Sequence, residues 1–191
     1  MTRTLTTCLL LAACNPPVTG DDTLATDSGT DTAAAGEFAF YTPAWQDGET
    51  IPTEYTCDGT GGWQAQNNPE LLWENPPAGT QAFAMIYVDS DLNDWNHWAF
   101  YTTNADVLGI PQATSNTGSL PSGVVELRSQ DGRTGYVPNC PGSNPHTYTF
   151  TLWAVSDANA LVGQSTFDGL ASAASAVSLG SLSFSGEATT N

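Results

Sequence analysis

The run Phe83-Ala84-Met85-Ile86-Tyr87-Val88 is apolar at almost every position. A half-buried strand alternates apolar and polar residues, whereas a strand covered on both faces does not. This run is therefore expected at the centre of a sheet arrangement with packing on either side. Other apolar runs flank it in sequence. Phe38 and Phe40 alternate with small or polar neighbours until Pro43 ends the pattern, and further runs occur at Leu71–Trp73, Trp98–Tyr101 and Tyr148–Val155. Stretches such as Asn75-Pro76-Pro77-Ala78-Gly79 separate them, so the chain reads as mainly β, with strands punctuated by turns. Near the C-terminus the pattern changes once: Leu170, Ala173, Ala174 and Val177 fall at helical spacing, predicting a short helix over 167–178 despite Gly169. A last alternating strand, Leu179–Phe184, is expected after it. There is no internal repeat.

A length of 191 residues suits one domain with a real core. Its charge narrows the partners. There is no lysine, and Arg3, Arg128 and Arg133 stand against 20 acidic residues, for a net charge of −17. Such a surface repels phosphate backbones and anionic bilayers, which argues against nucleic-acid binding and against electrostatic docking on acidic lipid.

The N-terminus, MTRTLTTCLLLAAC, places one arginine before a short apolar run that ends in small residues at a cysteine. It resembles a bacterial lipoprotein signal, with Leu11-Ala12-Ala13-Cys14 as the lipobox, and the run is too short to span a bilayer. The resemblance implies cleavage before Cys14 and lipidation of its thiol. Residues 15–36 are Pro, Gly, Thr, Asp and Ala with almost nothing to bury, the composition of a flexible acidic tether. The organisation expected is a signal peptide over 1–13, a disordered tether over 14–36 and one domain over 37–191. The protein would then be exported and lipid-anchored to a bacterial membrane, in the periplasm or at the cell surface. Loss of residues 1–13 removes Arg3 and leaves the remainder more acidic by one charge.

The chain has two histidines. His97 lies in Trp95-Asn96-His97-Trp98, shortly after Asp89-Ser90-Asp91, and His146 heads a strong strand in Pro145-His146-Thr147-Tyr148. Around them run further pieces in order: Ile51-Pro52, Tyr55-Thr56-Cys57-Asp58-Gly59, Leu71-Leu72-Trp73, Pro76-Pro77-Ala78-Gly79-Thr80, Gly135-Tyr136-Val137-Pro138-Asn139-Cys140-Pro141 and Leu152-Trp153-Ala154. In order and spacing these resemble the phosphatidylethanolamine-binding protein family, especially its bacterial branch. The resemblance implies a β-sandwich-like domain, with one or two short helices near the C-terminus and a small anion-binding pocket. It implies a ligand-binding set of Asp89, Asp91, Trp95, His97, Tyr136, Pro138, His146 and Tyr148. Asp89 can fix a histidine tautomer, imidazole N–H groups can donate to phosphate oxygens, and Tyr148 can add a further donor. The chain also departs from the family pattern. Ser90 replaces a proline, Asn139 and Gly142 interrupt a proline-rich loop, and Thr147 replaces an arginine, so the pocket rim is expected to differ.

Other chemistries fit less well. Two histidines and two aspartates lack a tight metal-ligand motif such as His-x-x-x-His, and no Gly-x-Ser-x-Gly marks a nucleophile elbow. Neither a metal, a cofactor nor catalysis is expected. Trp63, Trp73, Trp95, Trp98 and Trp153 read as core or pocket-wall residues, with Trp95 and Trp98 adjoining a site residue. With Cys8 in the signal and Cys14 lipidated, Cys57 and Cys140 remain in the domain. An exported compartment allows a disulfide between them, worth about 4 kcal/mol in the chain-entropy picture; otherwise both are buried thiols. The function expected is non-enzymatic binding of a small phosphate-bearing or zwitterionic ligand. The alternative is a protein-interaction module such as a peptidase inhibitor, its protein partner unknown.

The lipobox generates a direct test. In a lipoprotein-processing bacterium the protein is expected in the detergent phase on partitioning, and Cys14→Ser should release it or block its maturation. Equal partitioning of parent and variant would contradict the anchor.

Overall fold

The structure, a computed structural model, describes residues 36–62 and 67–190. The expected signal, Cys14 and nearly all of the tether lie outside the described residues, as does Trp63. The elements follow in chain order as β1 (Ala39–Tyr41), a 3-10 turn (Thr53–Tyr55), α1 (Cys57–Thr60), β2 (Leu71–Glu74), β3 (Ala82–Asp89), β4 (Trp95–Thr102), β5 (Gly109–Ile110) and β6 (Val124–Glu126). There follow β7 (His146–Val155), a second 3-10 turn (Ala158–Ala160), α2 (Phe167–Ala176) and β8 (Ser178–Ala188). The strands form a three-stranded sheet, β1-β2-β5, and a five-stranded sheet, β6-β4-β3-β7-β8, with antiparallel pairing throughout.

The apolar run is the middle strand of the larger sheet, and both of its faces are covered. Phe83, Met85 and Tyr87 face the smaller sheet, in one core with Phe40, Trp73, Phe100, Phe150 and Phe184. Trp73 meets Phe83 at 5.3 Å between ring centroids, and Phe40 meets Phe184 at 4.9 Å, edge-on. Such pairs contribute about 0.5–1.5 kcal/mol each beyond the area they bury. On the opposite face, Ala82 and Ala84 of β3 and Ala99 of β4 are small, which lets α2 approach and bury Phe167, Leu170 and Ala174. Alternation of large and small side chains along β3 thus builds two cores from one strand.

Helix α2 begins at Phe167 as expected and stops two residues short of 178. Thr166 caps it, its Oγ1 accepting the Gly169 N–H at 3.1 Å. A side chain at 169 would crowd that cap, since its Cβ would lie 2.8 Å from Thr166 Oγ1 and 2.9 Å from Gln164 Oε1. Glycine at this point therefore serves the helix start instead of breaking it.

Three strands reach past their apolar segments. β4 starts at Trp95, β7 at His146, and β8 runs on to Ala188. The β7–β8 ladder pairs His146 with Ala188 and Tyr148 with Gly186, so polar residues are held there by backbone hydrogen bonds. Gly186 has a packing role in that extension: a Cβ at this position would lie 2.6 Å from both Ile51 Cγ1 and Trp45 Nε1, which close over β8. Cys57 and Cys140 are joined as a disulfide with Cα atoms 5.3 Å apart. Beside it the Cys57 N–H donates to the Asn139 carbonyl at 2.9 Å, tying α1 to the loop before β7.

Candidate functional site

The polar ends of β3, β4 and β7 converge on a pocket of about 390 Å³. Register explains the convergence. Asp89, the last residue of β3, pairs with Trp95 of β4 on one side and with Tyr148 of β7 on the other. His146 lies two residues before Tyr148 and so shares its face. His97 reaches the pocket by a different device. The β3–β4 ladder pairs Tyr87 with Trp98 and Val88 with Asn96, leaving His97 as an extra residue in β4. A bulge of this kind re-aims a side chain. Trp98 keeps its place in the core while His97 beside it lines the pocket.

Asp89 organises the floor. Its Oδ1 accepts the N–H groups of Asp91 at 3.0 Å and Leu92 at 3.1 Å, and its Oδ2 faces His146 Nδ1 at 2.7 Å. A carboxylate only accepts, so Nδ1 of His146 carries the hydrogen and Nε2 is left for a ligand. His97 Nδ1 lies 2.9 Å from the Val137 carbonyl oxygen and donates to it, while the Val137 N–H donates to the His97 carbonyl at 3.1 Å. Tyr148 stands between the two imidazoles, 5.2 Å from the His97 ring and 6.4 Å from that of His146. The Trp95 ring meets His97 edge-on at 4.4 Å.

Of the residues named from the sequence, Asp89, Trp95, His97, Pro138, His146 and Tyr148 line the pocket, whereas Asp91 and Tyr136 do not. Asp91 is exposed beside His146, and its Oδ2 accepts the Thr147 N–H at 2.6 Å, which holds its carboxyl below the usual carboxylate range. Tyr136 is fully buried, stacked on Tyr87 at 5.9 Å, and donates to the Tyr55 carbonyl at 3.0 Å. Leu92, Val137, Cys140 and Pro141 complete the lining. Val137, Cys140 and Pro141 fall in the Gly135–Pro141 motif, which pointed to that loop, but Leu92 is a lone apolar residue in a turn and carries no pattern.

The departures from the family pattern have uses. Ser90 donates its N–H to the Thr147 carbonyl at 2.9 Å, extending the β3–β7 ladder, a bond no proline can make. Asn139 is buried, and its Oδ1 accepts the Tyr87 hydroxyl at 2.8 Å. Thr147 places a neutral hydroxyl side chain where the family pattern has an arginine.

Burial keeps His97 and the Tyr148 hydroxyl in their neutral forms. It lowers His97 from its ordinary 6.5 to about 4, a shift that the Val137 carbonyl and the Asp89 carboxylate only partly offset. Burial, and after it Asp89, raises the Tyr148 hydroxyl well above the usual tyrosine range, so it remains a donor. The His97 shift has a consequence for stability. Between about pH 6.5 and 4 the unfolded chain takes up a proton at this position that the folded protein refuses, so stability rises with pH there. This contribution is complete above about pH 6.5 and is lost as the pH falls towards 4, by an amount on the order of 3 kcal/mol. Urea unfolding at pH 7 and pH 4.5 should therefore show the parent losing more stability than His97→Gln, carboxylate titration being common to both. Equal losses would contradict the burial of a neutral His97.

The chain matches the family model for phosphatidylethanolamine-binding protein over residues 41–188. It is 34% identical over 116 residues to a UPF0098 protein of Methanothermobacter thermautotrophicus, covering 60% of this chain and 74% of that one. To the UPF0098 protein YbcL of Escherichia coli it is 32% identical over 130 residues, covering 64% and 71% respectively. It is also 32% identical over 133 residues to LppC of Mycobacterium tuberculosis, which is named as a lipoprotein, covering 66% of this chain and 60% of that one. The crystal structure of YbcL, described as a member of the mammalian PEBP family, superposes with a TM-score of 0.72 at 24% identity, over 82% of this chain and all of that one. The mainly β fold, its two antiparallel sheets and the extent of the family match agree: the chain belongs to the phosphatidylethanolamine-binding protein family.

Proposed function

We propose that the domain binds, without catalysis, a small phosphate-bearing or zwitterionic ligand, and that a lipid on Cys14 holds it at a membrane after export. The observation that carries the binding reading is the convergence of His97, His146 and Tyr148 on one concave pocket around a buried Asp89 that accepts three hydrogen bonds. Pockets that hold small ligands are mostly apolar with a few convergent polar groups, and here Leu92, Trp95, Val137, Pro138 and Pro141 supply the apolar wall. The family's name points to a phosphate joined to an ammonium, and the name of LppC supports the anchor.

Charge bears on which ligand is favoured. The net charge of −17 opposes entry of a free anion, and a zwitterion escapes much of that repulsion. Asp89 already accepts three hydrogen bonds, so Asp91, exposed beside His146, is the better partner for an ammonium. Titration calorimetry at low salt should show phosphoethanolamine binding more tightly than inorganic phosphate. Added salt should narrow the gap, and His146→Ala should weaken phosphoethanolamine by about tenfold or more. Phosphate binding as well as phosphoethanolamine would contradict the choice of ligand. No binding, or a variant that binds like the parent, would contradict the pocket.

A further inference from the structure

We propose that His97 meets the ligand as a hydrogen-bond acceptor, so that the pocket prefers an oxyanion carrying its own proton, such as a monoprotonated phosphate ester, over a sulfate ester of the same charge and shape. This rests on the ligand-binding reading above and specifies the chemistry of that site.

The geometry at His97 leaves little choice of tautomer. A carbonyl oxygen cannot donate, so the 2.9 Å contact with Val137 places a hydrogen on Nδ1. A neutral imidazole has one such hydrogen, and Nε2 is then a bare lone pair. Flipping the ring would set a carbon against the carbonyl and lose the bond. The backbone bond from the Val137 N–H to the His97 carbonyl holds the two residues in this relation, and Trp95, Tyr148 and Tyr87 wall the ring, at 4.4, 5.2 and 5.6 Å between centroids. The charged and titratable groups around it do not favour a second proton enough to overcome burial. Asp89 is committed to three donors, Asp131 is bridged to Arg133, and the Tyr87 and Tyr148 hydroxyls stay protonated. Burial outweighs the pull of Asp89 and Asp131, keeping the ring neutral down to about pH 4.

The Tyr148 hydroxyl is complementary to this acceptor, because it stays protonated and donates. A phosphate monoester monoanion satisfies both: its P–OH donates to His97 Nε2 while another of its oxygens accepts from Tyr148. A sulfate ester can only set an oxygen lone pair against that of Nε2, leaving the imidazole nitrogen unpaired.

Methyl phosphate and methyl sulfate at pH 5 separate the cases, because both then carry one negative charge and only the phosphate, with its second ionisation near about pH 6, keeps an O–H. Calorimetry on the parent should give methyl phosphate an affinity about tenfold or more above that of methyl sulfate. In His97→Gln, whose amide can turn an N–H2 to the ligand, the preference should collapse. Independently, the 15N shift of His97 Nε2 in the ligand-free parent at pH 7 should be that of an unprotonated ring nitrogen, so the test survives should the variant not fold. Equal affinities for the two esters, or a protonated Nε2, would overturn the role of His97 while leaving phosphoethanolamine binding intact. If neither ester nor phosphoethanolamine binds, the ligand-binding reading falls with it.

Discussion

A carboxylate at the end of a strand buried on both faces sets the terms for this site. β3 carries an unbroken apolar series between two cores and then ends on Asp89, which is itself buried. A charge in that position is tolerable only if its lone pairs are met. Two are met by the backbone, because the chain turns immediately after β3 and brings the Asp91 and Leu92 N–H groups back onto Oδ1. The third requires a side chain from another strand, and β7 supplies it as His146. The need to solvate one buried carboxylate thus accounts for the turn and for the placement of His146, and it leaves a histidine nitrogen facing the pocket.

The rest of the pocket is held by constraints that act through the backbone. A bulge lets two adjacent residues of β4 serve the pocket and the core at once. The loop from Tyr136 to Pro141 is fixed at several points: Val137 to His97, Asn139 to Tyr87 and to the Cys57 N–H, and Cys140 to Cys57. Its apolar wall is therefore largely pre-formed, which lowers the entropy a ligand must overcome on binding.

Much of this was legible in the sequence, and the limits have physical causes. β3 was readable as a two-faced strand because burial on both sides removes alternation. The ends of β4, β7 and β8 were not, because at the pocket the strands continue on ladder hydrogen bonds after their hydrophobicity stops. The order of motifs identified Asp89, His97, His146 and Tyr148 as a group, but the bulge that turns His97 inward leaves no mark on residue type. Asp91 and Tyr136 were grouped with the pocket by motif. The structure sets one outside the lining, beside His146, and the other beneath it in the core. Leu92 escaped notice for the opposite reason, being an isolated apolar residue in a polar turn. Ser90 and Asn139 read as interruptions of a family motif, and in the fold each makes a hydrogen bond that proline cannot.

The central claim is that two histidines from different strands serve one ligand. Since the chain contains only His97 and His146, their imidazole resonances can be followed without ambiguity in a 1H–15N spectrum of the whole protein. On addition of phosphoethanolamine both sets should move along a single binding curve with one dissociation constant. Movement of one histidine alone, or of neither, would contradict the account.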